Sequence, residues 1–276
     1  MAMVGAVKWR PSLCLALVLI AGSARAGEAR CWFENGALVI PAAFGDIAGD
    51  FIVDLSASRS QLHVTRARSE GIVGAQARAD LRLAGERTRG FGMEVADLDA
   101  RSHGFTTNIA GVLGADALAP FTADIDFSPC KVRLRRGRPA LLSGGVRLKM
   151  WEMAGVPAVE AAISDGAVSR KGLFAIDTAS AGTRVAGATL SRSPPAGVDP
   201  ADRETPPARL RAVSLAGLLF EQTPAGLAPD APRGLDGAIG IAAWSRFHLR
   251  LAIGRGWLDL KAASQVPRVC AHCVAR

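Results

Sequence analysis

Apolar residues fall along the chain in short runs with period two or none, and the breaks between runs hold Gly, Asp or Pro. In the first half the runs are Ala37 to Ile40, Phe51 to Leu55, Leu81 to Ala84, Ile125 to Phe127 and Val132 to Leu134. In the second half they are Val146 to Met150, Val159 to Ile163, Leu173 to Ile176, Leu210 to Leu215, His248 to Ile253 and Trp257 to Leu260. Runs of this length with this spacing predict β-strands, and helical periodicity is scarce, so the expected class is mainly β.

Overlaying the halves exposes a repeat. Phe51-Ile-Val-Asp54-Leu-Ser-Ala is matched by Phe174-Ala-Ile-Asp177-Thr-Ala-Ser, and Gly111-Val-Leu-Gly114 by Gly237-Ala-Ile-Gly240. Phe121 leading into Asp124-Ile-Asp-Phe is matched by Phe247 leading into Arg250-Leu-Ala-Ile, and Lys131-Val-Arg-Leu134 by Trp257-Leu-Asp-Leu260. The offset is 123 at the aspartates and 126 at the later landmarks, a drift that one loop absorbs. Two lobes of ordinary domain size follow, at 27–142 and 143–268, with a tail at 269–276. The segment Ser191 to Pro207 holds five prolines and is expected to be a loop inside the second lobe.

The first 26 residues read differently. Lys8 and Arg10 precede an apolar run from Leu13 to Ala21, and Ala24-Arg25-Ala26 supplies a small-x-small cleavage site. Residues 1–26 are expected to be a secretory signal peptide, too short in its apolar part to span a bilayer. An exported protein, periplasmic or secreted, is implied, with no stable membrane insertion after cleavage. The formal charge of +8 then falls to +5, because Lys8, Arg10 and Arg25 leave and no acid does. Only five of the 33 basic residues are Lys, and no binding face emerges, so no nucleic-acid partner is expected.

Four cysteines remain, Cys31, Cys130, Cys270 and Cys273, an even number suited to disulfides in an oxidising compartment, with three possible pairings. The C-A-H-C at the chain end lacks the strand-helix context of a redox dithiol and the further ligands of a zinc site. No metal and no cofactor is expected. His63, His103, His248 and His272 lie in no nucleophile-elbow context, and the Gly111 and Gly237 motifs lack the basic residue of a phosphate loop. The stretch Lys131 to Arg138 alternates apolar and basic side chains as a solvated sheet edge does, and His63 is expected at the surface.

The chemistry candidates are the repeated aspartates. Asp54 and Asp177 each end an apolar strand and are followed by small or hydroxylated residues. A carboxylate at the end of a buried strand is costly unless it is partnered or shifts its pKa, and the same cost incurred twice at equivalent places points to function. These residues resemble the retropepsin-like and pepsin-like aspartic proteases, whose marks are an apolar strand ending in Asp-Thr/Ser-Gly-Ala/Ser and, about 60 residues later, two apolar residues and Gly. Here those marks are Asp54-Leu55-Ser56-Ala57-Ser58 with Val112-Leu113-Gly114, and Asp177-Thr178-Ala179-Ser180 with Ala238-Ile239-Gly240.

The resemblance implies two similar closed β lobes of the acid-protease type with the cleft between them, and Asp54 and Asp177 as a catalytic dyad. Ser56, Thr178, Ala179, Gly114 and Gly240 would support the dyad or position substrate. The partner would be a peptide or protein substrate lying extended across the cleft, and the protein a monomer. Two carboxyls about 3 Å apart cannot both ionise, so one activates water while the other polarises the peptide carbonyl, and the pair titrates as a unit.

The departures are specific. The residue after each Asp should carry a hydroxyl that bonds across to the other lobe; Thr178 has one and Leu55 has none. The Gly expected two positions after each Asp is Ser56 or Ala179, each adding a Cβ near the carboxylates. The pepsin-type flap Tyr has no counterpart, since the chain contains no Tyr. Aspartic-type peptide hydrolysis is the leading expectation, a non-catalytic peptide-binding or scaffold role on the same fold is its alternative, and an unrelated β-sandwich adhesion domain is the lesser one. Carboxylates in mutual reach and open to solvent would favour hydrolysis, buried ones bonded to separate turns would favour binding, and ones on unrelated faces would exclude both.

Overall fold

The computed structural model describes residues 27–137, 140–166, 169–186, 208–228, 234–267 and 274–275. The expected signal peptide, the proline-rich loop at 191–207, Cys270 and Cys273 lie outside the described residues. The first half forms β1 (Gly27–Arg30), β2 (Trp32–Glu34), β3 (Ala37–Phe44), β4 (Ile47–Val53), β5 (Gln61–His63), α1 (Val64–Ser69), β6 (Gln76–Leu83), β7 (Glu86–Ala96), α2 (Asp99–Ser102), β8 (Ile109–Leu113), α3 (Ala115–Leu118), β9 (Thr122–Phe127) and β10 (Cys130–Arg135). The second forms β11 (Val146–Met153), β12 (Val156–Ser164), β13 (Ser169–Ile176), β14 (Thr183–Ala186), β15 (Ala208–Leu215), β16 (Leu218–Ala228), β17 (Gly237–Ile239), α4 (Ile241–Trp244), β18 (Phe247–Ala252), β19 (Trp257–Ala262) and β20 (Val274–Ala275).

The halves share a wiring plan. In the first lobe the strand order is β20-β2-β3-β4-β8-β5-β7-β6, closed by pairing of β3 with β6. In the second it is β11-β12-β13-β17-β14-β16-β15, closed by pairing of β12 with β15. Each lobe is thus a closed, mainly β structure. Two-residue turns with both residues at positive φ join β2 to β3 (Asn35-Gly36) and β11 to β12 (Ala154-Gly155), and likewise β6 to β7 (Ala84-Gly85) and β15 to β16 (Ala216-Gly217). This turn type matches the twist of the flanking strands, so the duplicated hairpins are set by local chemistry at the same places in each lobe.

The third sheet joins the lobes. Its order, β1-β10-β9-β18-β19-β11, takes three strands from each half. At its centre β9 pairs antiparallel with β18, with Asp124 opposite Arg250. Those two residues are also equivalents in the 126-residue repeat, so the axis relating the lobes passes between them. Asp124 is buried and its carboxylate accepts from Arg250 Nε and Nη2 at 2.6 and 3.3 Å. Burial opposes its ionised form, but His248, Arg250 and Arg135 outweigh that and hold its pKa below the usual carboxylate range. Asp259, fully buried in β19, is held by two parallel bonds from Arg147 at 2.6 and 2.8 Å.

Two expectations are corrected. β10 is no sheet edge, because β1 pairs along its outer side from Gly27↔Leu134 to Arg30↔Lys131. The alternation itself is present, with Val132 and Leu134 buried while Lys131 and Arg133 bind Glu28 on β1. His63 is buried at 8% exposure, not at the surface. It caps α1, its Nδ1 accepting from the Thr65 N–H at 3.3 Å.

Cys31 and Cys130 form a disulfide that ties the start of β10 to the segment joining β1 and β2. Among the described residues no helix is long and apolar enough to cross a membrane. The disulfide agrees with an exported protein. The cross-link closes a sequence separation of 99 residues, and loops of that size constrain the unfolded chain strongly. Replacing Cys31 and Cys130 by Ser should lower the unfolding free energy by about 2–5 kcal/mol, read from denaturant titration of the variant against the oxidised protein.

Candidate functional site

Asp54 and Asp177 leave the ends of β4 and β13, central strands flanked on both sides. Each strand runs parallel to the one ending in the glycine motif: Val53 pairs with Leu113, and Ile176 with Ile239. The pairing continues one step further, since the Asp54 N–H donates to the Leu113 carbonyl and the Asp177 N–H to the Ile239 carbonyl, both at 2.9 Å. The turn after each aspartate then lies against the next glycine. Ala115 N–H donates to Ala57 O and Ile241 N–H to Ser180 O, both at 2.8 Å. A Cβ on Gly114 would stand 2.7 Å from Arg59 C, and one on Gly240 would stand 2.1 Å from Gly182 O. No side chain fits at either glycine, which explains the two-apolar-plus-Gly pattern as a packing requirement of the aspartate turns.

Each carboxylate binds its own turn through one oxygen. Asp54 Oδ1 accepts from Ser56 N–H at 2.8 Å and from the Ser56 hydroxyl at 2.6 Å. Asp177 Oδ1 accepts from Ala179 N–H at 2.9 Å. Neither Ser56 nor Ala179 has positive φ, so the turn forms with a Cβ in place and the family's glycine is not needed for its conformation. Ser56 and Ala179 each supply a backbone N–H donor to the carboxylate of their own turn.

The two turns meet through Thr178. Its hydroxyl donates to the Val53 carbonyl at 2.6 Å and accepts from Leu55 N–H at 3.1 Å, while its carbonyl accepts from Leu38 N–H at 2.9 Å. The opposite half of this exchange is missing for two reasons. Leu55 has no hydroxyl and is fully buried in the apolar core. The hairpin position equivalent to Leu38 is Pro157, which has no N–H to give. The lobes also touch where Gly36 lies against Ala181 and Gly155 against Ser58, with room for no side chain at either glycine.

The second oxygen of each carboxylate meets an arginine. Asp54 Oδ2 accepts from Arg101 Nη2, and Asp177 Oδ2 accepts from Arg184 Nη2 at 2.7 Å. The carboxylate side chains are 6% and 0% exposed, against 37% and 47% for the two arginines. The guanidinium groups thus lie between the aspartates and solvent. Burial above all, and then the neighbouring Asp54 charge, push the Asp177 carboxyl above its usual pKa, against the pull of Arg184, the Ala179 N–H and Ser180.

Both arginines were missed in the sequence. Arg184 sits on β14 in the short run Thr183-Arg-Val-Ala, seven residues past Asp177, where the first lobe has Gln61. A lone cation in an otherwise apolar strand was the available signal. Arg101 is on α2, in the connection 97–108 between β7 and β8, which is longer than its counterpart 229–236 between β16 and β17. The repeat gives no equivalent for it.

That connection is firmly anchored. Glu34, fully buried on β2, accepts from the N–H and hydroxyl groups of Thr106 and Thr107 and from Trp32 Nε1. Asn35 Nδ2 donates to the His103 carbonyl at 2.9 Å, and His63 Nε2 stands 3.1 Å from Asp99 Oδ1. Burial would raise the Glu34 pKa, but the bonds from Thr107, Thr106 and Trp32 reverse that and bring it to about 2. Among the described residues no group of three or more His, Cys, Asp or Glu side chains could hold a metal.

No family model and no curated protein sequence matches the chain. Among solved structures it is similar to the aspartic proteinase from Irpex lacteus, with a TM-score of 0.53 and 12% identity, over 87% of this chain and 98% of that one. Likeness at that identity establishes the fold, a two-lobed, closed-β architecture of the aspartic-protease type.

Two predictions follow from this network's bonds. Thr178→Val should cost about 1–3 kcal/mol of stability in denaturant titration, since it strands the buried Val53 carbonyl and Leu55 N–H, and Thr178→Ser should restore most of the loss. Glu34 is an acid whose pKa is depressed in the fold, so its contribution is present above its ordinary value of 4.5 and is lost as pH falls toward about 2. Thermal melts across that range should show a smaller acid-induced drop for Glu34→Gln than for the parent.

Proposed function

We propose that this chain uses its aspartic-protease-type cleft to hold an extended peptide or protein segment, with Asp54 and Asp177 as an acidic floor and not as a hydrolytic pair. The observation that carries this reading is the arginine on the second oxygen of each carboxylate. Hydrolysis needs a water shared by the pair and room for a peptide carbonyl beside it. Those oxygens are committed to guanidinium donors, and the carboxylates are buried beneath them. An extended segment can still add its backbone to strand edges at the cleft, with pockets for alternate side chains.

Hydrolysis is the second reading, favoured by the raised pKa of Asp177 beside an Arg-paired Asp54. With both arginines withdrawn, an ionised Asp54 could take a proton from water while a protonated Asp177 polarised the scissile carbonyl. That is the division of labour an aspartic mechanism requires.

Incubation of the purified protein with a mixed peptide library from about pH 3 to 7, followed by mass spectrometry of bound and free peptides, separates the two readings. Retention of peptides with no new termini is the expected result. Cleavage that disappears in both Asp54→Asn and Asp177→Asn would install the hydrolytic reading in its place. Cleavage that survives either substitution would remove the dyad from any account of the reaction.

A further inference from the structure

The carboxylates of this protein meet arginine in two different ways. At the base of the molecule the pairs are closed: Asp259 takes both Nε and Nη2 of Arg147, and Asp124 takes both Nε and Nη2 of Arg250, whose Nη1 donates to the Ala140 carbonyl. At the cleft they are open. Arg101 and Arg184 each engage an aspartate through Nη2 alone, and among the described residues no hydrogen bond takes the Nε or Nη1 of either. A guanidinium carries five donors in a planar fork that matches a carboxylate with two parallel bonds. Toward the described residues each cleft arginine therefore keeps most of its fork unused, on a side chain that solvent reaches.

The charge count points the same way. Two guanidinium groups stand over two carboxyls at one seam, since the aspartate turns are joined by Thr178. Burial and the Asp54 charge push the Asp177 pKa up, so a fully ionised pair of carboxylates is disfavoured beneath the two guanidinium groups. Nor is Arg101 a loosely swinging surface residue. Glu34 and Asn35 bind the connection that carries it, and His63 stands against Asp99 on α2. A preformed pair of cations above a buried acidic floor is an arrangement that recognises an anion and penalises a neutral isostere.

We propose that Arg101 and Arg184 form a carboxylate-binding subsite over the Asp54/Asp177 floor, so that the segment the cleft accepts is acidic. The inference rests on the peptide-holding reading above and adds the chemistry of its ligand. The carboxylate belongs either to an Asp or Glu side chain within the segment or to the segment's C-terminus. Arg184, on the strand that follows the Asp177 turn, and Arg101, on the anchored connection of the other lobe, would grip it from both sides.

The test is fluorescence anisotropy with labelled peptides of one extended backbone. One has a single internal Glu and both ends blocked, one has no acidic side chain but a free C-terminal carboxylate, and one is blocked and carries Gln in place of Glu. Binding of one acidic peptide about tenfold tighter than the neutral one is expected, and which one identifies the source of the carboxylate. The preference, read as the ratio of acidic to neutral affinity within each variant, should fall to within about twofold in Arg101→Gln and Arg184→Gln, and should shrink with added salt. Arg101→Lys and Arg184→Lys keep the charge without the fork and should retain only part of the preference. Thermal melts of every variant separate a folding defect from a recognition defect.

Equal affinity for acidic and neutral peptides would overturn the subsite and leave the peptide-holding cleft standing. A preference that survives both Gln substitutions would also overturn it, and failure of every peptide to bind would overturn both.

Discussion

Two carboxyl groups brought to one seam by the joining of the lobes set the electrostatic condition under which the rest of the site is built. Each is at the end of a strand buried on both sides, so neither can be hydrated as a surface aspartate would be. An uncompensated charge there would cost several kcal/mol. The compensation is layered. Ser56 and the Ala179 N–H satisfy one oxygen of each carboxylate from within its own turn, and Arg101 and Arg184 satisfy the other from outside. What remains unbalanced is expressed as the raised pKa of Asp177. Glu34 serves the same end at one remove, since four of its bonds, from Thr106 and Thr107, fix the connection that delivers Arg101.

The duplication makes the divergence between the lobes readable position by position. Where the second lobe has Thr178, the first has Leu55, and where the first has the Leu38 N–H, the second has Pro157. The first change removes a hydroxyl and the second an N–H, so the side-chain exchange across the seam runs through Thr178 alone. The opposite kind of divergence occurs at the lobe axis, where equivalent positions became Asp124 and Arg250 and bind each other. A residue facing its own duplicate across an axis would repel if both copies were charged alike, and opposite charges turn that repulsion into a bond.

Strand runs, the repeat and both aspartates could be read from the chain because burial on both sides of a strand imposes long apolar runs and because the repeat reported the same punctuation twice. The role of Gly114 and Gly240 could be placed but not explained, since the atoms that exclude a Cβ belong to turns more than 50 residues away in sequence. Arg101 escaped because it lies on a connection with no counterpart in the other lobe, and Arg184 because one cation in a strand does not say which way it faces. The Lys131 to Arg138 stretch misled for a related reason. Alternation reports that one face of a strand is wet, and says nothing about whether both sides are hydrogen-bonded, which here depends on β1 arriving from a distant part of the chain. His63 was misplaced because capping of α1 and the contact with Asp99 are tertiary facts.

The arginines also determine what opening the site would entail. Withdrawing Arg101 or Arg184 would leave a carboxylate that is nearly or fully buried without its counter-charge, and such a group must either protonate or find another cation. The Asp177 pKa is already pushed up by burial, so protonation is a route by which the second lobe can release its arginine. Asp54 is bound by the Ser56 hydroxyl and N–H, and its arginine is the one held by an anchored connection. The two pairs are therefore unequal although the backbone beneath them is duplicated. A ligand that drew on the guanidinium groups would meet a yielding partner in one lobe and a fixed one in the other, and the direction in which a segment lies across the cleft would follow from that inequality.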